Sequence, residues 1–172
     1  ANASAAHNLA HIAFETLDID GGAAFLDEWM TGYDRRAHFH CHLAWHQAMF
    51  ALHEGGYGRA LEIFDRDIIG ASNPRSTMTD GTALLWRIRL DRAHERPLPW
   101  RALADIAGRV SRPGYLFGEA HAALAYAACG DEAGMTRLRD GLRTLDGKGH
   151  PFAGRVVLPL VEGGGAFAAG DF

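Results

Sequence analysis

Gly55-Gly56-Tyr57-Gly58-Arg59-Ala60-Leu61-Glu62-Ile63-Phe64 is the stretch that decides the fold. Two successive glycines end a helix, because glycine enters the left-handed region without a Cβ clash. On either side, Phe39–Glu54 and Tyr57–Ile69 carry apolar residues at helical spacing. So short a turn makes the two helices antiparallel neighbours. Ala60 is small enough to let the second helix approach the first, and Phe64 fills the space beside it.

Working outward, the same unit recurs. Turns at Leu17-Asp18, Gly55-Gly56, Glu95-Arg96, Gly130-Asp131 and Gly170-Asp171 are spaced roughly 38 residues apart. The pattern predicts nine helices: Ala3–Leu17, Gly21–Gly32, Phe39–Glu54, Tyr57–Ile69, Asp80–His94, Pro99–Ser111, Tyr115–Cys129, Glu132–Leu145 and Phe152–Ala169. Gly70–Thr79 reads as a polar loop, with Asp80 capping the helix that follows. Val and Ile cluster only briefly, so strands are not expected. The expected fold is all-α: an α-solenoid of four complete helix pairs and one incomplete pair, forming a single domain over 1–172. The chain reads as a fragment of a longer protein, because it stops where the last partner helix should begin.

The form G-x-Y-x-x-A-L-x-x-F at Gly55–Phe64 resembles a tetratricopeptide repeat. Several further stretches are similar to a narrower group, the tetratricopeptide repeat protein 38-like proteins. They are Ala10–Glu15, His42-Leu43-Ala44-Trp45-His46-Gln47-Ala48-Met49-Phe50, Asp80-Gly81-Thr82-Ala83-Leu84-Leu85-Trp86-Arg87, Pro99–Ala104 and Glu119–Leu124. The resemblance implies a right-handed superhelix in an intracellular, cytoplasmic protein and brings no established reaction. Leu17 departs from the pattern where a glycine would be expected, and so does the third hairpin with Pro97 and Pro99.

Composition narrows the function. Hydrophobic residues make up 48% and charged residues 22% of the 172, which is globular. No apolar run reaches the roughly 18 residues of a membrane span. Seventeen basic residues against 21 acidic leave a net charge of −4, and nucleic-acid binding would want a basic stripe instead. Cys41 and Cys129, far apart and outside any CxxC, read as buried hydrophobes in a reducing compartment. There is no P-loop, G-x-S-x-G or H-E-x-x-H. No catalytic residue, metal ligand or cofactor is assigned, and a binding role is read in preference to an enzymatic one.

The ten histidines carry the remaining signal. In such a solenoid the first helix of each pair lines the concave surface. His7 and His11 lie four apart on the first of these helices, and His42 and His46 four apart on the next. Residues at this spacing share a face. With Glu15, Trp45, Met49, Asp80, Arg87 and His121 they form the candidate groove, alongside Phe14 and Phe117. Three readings stand open: histidines filling helix seams, a groove for a peptide, protein or small molecule, and a metal-binding or catalytic site. In the groove reading Asp80 or Glu15 orients one ring nitrogen of His11 or His46, and Arg87 offers a bidentate fork to a carboxylate. His38 and His40 are expected in an exposed helix cap, and His53, His94 and His150 on the surface. Arg35-Arg36 and Arg137-Leu138-Arg139 read as solvated faces. Trp29, Trp86 and Trp100 read as core. The last helix, with Val156, Val157, Leu160 and Val161, lacks a partner, and is expected to pack in a non-native way, to pair with a second copy or to be poorly ordered.

Overall fold

The computed structural model describes residues 2–91 and 96–171. Among these, nine α-helices and no strand are found. The chain divides into two compact units, 1–97 and 98–172.

In the first unit α1 (Ala3–Glu15) and α2 (Ile19–Met30) form a hairpin. Asn2 caps α1 by accepting the Ala5 N–H at 3.2 Å, and Asp18 caps α2 by accepting that of Gly21. Leu17 makes the turn between them at φ 61°, the left-handed conformation for which the repeat pattern wanted glycine. Both helices lie on α3 (His40–His53), which also packs on α4 (Tyr57–Ile63), its π-helical continuation Phe64–Ile68, and α5 (Pro74–Asp91). This central position explains why α3 buries Leu43, Ala44, Ala48 and Phe50 completely. Leu26, Leu43 and Phe50 meet Ala6 and Ala10 of α1 in the core.

α5 corrects the expected loop. It starts at Pro74, not Asp80. Asn73 supplies the cap, its side chain accepting the Arg75 N–H at 3.2 Å, and proline suits a first helical position. Asp80 therefore lies within α5 and caps nothing.

α2 approaches α3 closely at Gly22. A Cβ there would stand 2.5 Å from the Phe50 ring and 2.8 Å from the Ala13 Cβ. Gly22→Ala is thus expected to lower stability by about 1–2 kcal/mol in urea unfolding, overpacking outweighing alanine's better helix propensity. An unchanged or higher midpoint would show that Phe50 has room to yield.

The second unit holds α6 (Trp100–Val110), α7 (Leu116–Cys129), α8 (Glu132–Gly147) and α9 (Leu158–Ala169), with α6, α8 and α9 all packed on α7. Gly130 at φ 70° turns α7 into α8, where Asp131 caps by accepting the Gly134 N–H. The last helix is not bare: Val157 and Val161 are buried within the unit, while Val156 and Leu160 stay exposed. Among the described residues no helix is long and apolar enough to cross a membrane. Both cysteines are free, and burial pushes the Cys41 thiol pKa well above its ordinary value.

Candidate metal centre

α1 lies against α3, so the two i, i+4 histidine pairs meet. Each of His7, His11, His42 and His46 offers a ring nitrogen, and these atoms all lie within 4.8 Å of one another. His7 Nε2 stands 2.9 Å from His11 Nε2 and 3.0 Å from His42 Nε2. His7 Nε2 has one in-plane position, proton or lone pair, so it can serve only one of these contacts as a hydrogen bond and leaves the other unsatisfied. His46 is 3% exposed, and its Nε2 is buried without a hydrogen-bond partner. His7 and His42 are half-buried, and His11 is exposed at the rim.

α5 supports the cluster from behind. His42 Nδ1 lies 3.1 Å from Asp80 Oδ2. With the proton on Nδ1, donated to Asp80, the Nε2 lone pair turns toward the other rings; this is how a carboxylate orients a metal-ligating imidazole. Asp80 thus orients His42, rather than His11 or His46, and Glu15 lies exposed outside the cluster.

Burial and the neighbouring rings disfavour the charged forms of His46 and His7. Burial, reinforced by neighbouring His42, His11 and His7, lowers the pKa of His46 to about 3. His7 is lowered as well, by burial first and then by His42 and His11, with Asp80 opposing. A neutral imidazole is the form that ligates a metal.

The rest of the expected groove divides. Trp45 stacks on His42, with ring centroids 5.5 Å apart and planes within 8°. The Arg87 guanidinium carbon sits 5.7 Å from the Trp45 ring centre. Arg87 donates to the Ala83 carbonyl at 2.9 Å and, with Phe14, Met49 and His53, lines a pocket of about 220 Å³. His121 belongs to the second unit, where its Nδ1 donates to the Phe117 carbonyl.

Other expectations resolve individually. His38 and His53 are exposed, but His40 is buried. His40 packs beside Asp67 on the π-helical turn instead of lying in an exposed cap, and burial lowers its pKa. His150 is half-buried, and His94 lies outside the described residues. Trp86 and Trp100 are core, and Trp29 packs against it. Arg36 is solvated, whereas Arg35 reaches back to Asp67. Sequence reasoning missed Arg35, His40 and Asp67 as a group; an acid and a histidine 27 residues apart in sequence carry no spacing signal.

No family model matches the chain, and no solved structure matches it, so the tetratricopeptide resemblance rests on the sequence motifs alone.

Proposed function

We propose that the first unit is a metal-binding helical module in which His7, His11, His42 and His46 hold one divalent transition-metal ion, with Zn²⁺ the first candidate. One observation carries the reading: His46 has a buried, unpartnered Nε2, and one ring nitrogen from each of the four imidazoles lies within 4.8 Å of the others. An all-imidazole set suits Zn²⁺, Cu²⁺ or Ni²⁺ and not Mg²⁺ or Ca²⁺, which want oxygen. Tetrahedral Zn²⁺ places its nitrogens about 3.3 Å apart, from bonds of about 2.0–2.1 Å. The contacts of 2.9 and 3.0 Å are already near that spacing. Four protein ligands close such a site, which makes its role structural or regulatory rather than catalytic.

The repeat spacing supports a tetratricopeptide-like solenoid as the scaffold, and the two free thiols fit a reducing compartment such as the cytoplasm. The recognition groove survives as a second reading beside the metal site. There the Arg87–Trp45 stack and the adjoining pocket suit a ligand carboxylate.

Equilibrium dialysis of chelator-stripped protein tests the metal site. One Zn²⁺ per chain is expected, and Co²⁺ in its place should give the intense visible bands of a tetrahedral nitrogen site. His42→Gln should abolish both. Substoichiometric metal, or an unchanged stoichiometry in His42→Gln, would overturn the assignment.

A further inference from the structure

A second cavity in the first unit, about 540 Å³, is lined by the end of α2 and the segment after it, by α3, α4 and the π-helical turn. Three guanidiniums from three different segments line it: Arg35, Arg59 and Arg66. Carboxylates hold each of them in place. Asp67, 6% exposed, receives Arg35 Nη2 at 2.9 Å and Arg66 Nε at 2.6 Å. Arg35 also donates to the Arg66 carbonyl. Asp27 pairs with Arg59 and accepts the Gln47 amide at 2.8 Å. Three cations against two anions leave the cavity with one net positive charge. A guanidinium carries five N–H donors, so most of these donors remain for a ligand.

His40 adds an independent sign. Its side chain is buried in the cavity wall, and Nε2 lies 3.9 Å from Asp67 Oδ1, beyond hydrogen-bond reach. Its Nδ1 is buried with no partner at all. His40 is also the first residue of α3, a helix whose N-terminus has no side-chain cap. The positive end of the helix dipole adds to the charge at that point.

We propose that this cavity binds the phosphate group of a small phosphomonoester. Donors converging from three segments match a tetrahedral anion with three terminal oxygens better than a planar carboxylate. A phosphate dianion complements the net charge of the lining. The volume exceeds what phosphate alone needs, and Met30 and Tyr33, the latter parallel to His40 at 6.1 Å, give the esterified group an apolar wall. Because the carboxylates fix the guanidiniums in advance, little side-chain ordering remains to oppose binding.

Titration calorimetry on chelator-treated protein tests this with inorganic phosphate, a nucleoside 5′-monophosphate, and citrate as the polycarboxylate comparator. The monophosphate is expected to bind one per chain, at least tenfold tighter than citrate. Arg59→Met should weaken it at least tenfold with the circular dichroism unchanged, since the Arg59 side chain is 56% exposed. Arg66→Met should act alike, because Arg35 still neutralises Asp67. His42→Gln should leave phosphate binding intact, which separates this site from the imidazole cluster. Absence of binding by either phosphate probe at millimolar concentration would overturn the proposal. So would citrate binding as tightly as the monophosphate, or binding that survives Arg59→Met but is lost in His42→Gln.

Discussion

Zn²⁺ at a hundredfold excess over its dissociation constant is expected to raise the first unit's stability by about 2.7 kcal/mol, an increase in its unfolding midpoint of about 11–22 °C. The site joins two helices whose apolar grip is slight on one side. α1 buries only Ala6 and Ala10 completely and leaves Leu9 and Ile12 about half exposed. Each alanine contributes one methyl group, roughly 1 kcal/mol of burial at most. A metal with two ligands on α1 and two on α3 would therefore be the strongest tie between them. The gain should concentrate in α1, so amide exchange there should slow most.

His11→Ala is the informative variant. His11 is the exposed ligand, so its removal opens no cavity and should leave the metal-free protein within about 0.5 kcal/mol of the original. The Zn²⁺-induced shift should nevertheless fall to near zero. A full shift in His11→Ala, or no shift in the unaltered protein, would remove the metal from the account of this unit.

Much of the helical layout was legible because it depends on local signals. Gly55-Gly56 and Gly130-Asp131 announce turns whatever surrounds them, and the helices they separate stand where the 3.6-residue period put them. α5 was misjudged at its start because Ser76, Thr77 and Thr79 look like loop residues. Thr79 bonds back to the Arg75 carbonyl within the helix, and Thr77 turns its hydroxyl to the Ile68 carbonyl of the preceding turn, a contact outside the helix that no propensity reveals. The available signal was Asn73-Pro74, a cap followed by a proline at the first helical position. The site was half legible. Spacing of four put His7 with His11 and His42 with His46 on single faces. That the two faces converge on one point depends on how α1 lies on α3, which spacing does not encode. Nor did the sequence separate Asp80, which reaches His42, from Glu15, which stays in solvent.

Acid should undo the first unit without any denaturant-specific chemistry. Unfolded, His46 takes up a proton near pH 6.5; folded, burial and its three imidazole neighbours hold it neutral down to about pH 3. Between those values the unfolded chain binds more protons than the folded one, so stability rises with pH across the window and is lost as pH falls. The shift corresponds to roughly 3–5 kcal/mol. His7 is lowered by the same causes and His40 by burial, so both contribute in the same direction. Glu119 of the second unit, raised by burial, contributes with the opposite sign, which makes a probe confined to the first unit necessary. The protection of α1 and α3 amides in metal-free protein, taken relative to the intrinsic exchange rate at each pH, should fall steeply between pH 6.5 and about 4. In His46→Leu, whose side chain fills the space without titrating, that slope should flatten by more than half. Bound Zn²⁺ should delay the acid transition and then release within it, since each ligand must lose its metal to gain a proton. A pH profile that is flat in the unaltered protein, or equally steep in His46→Leu, would show that the cluster stores no such electrostatic cost. In that case the four imidazoles would be a packed seam between helices and not a site awaiting a cation.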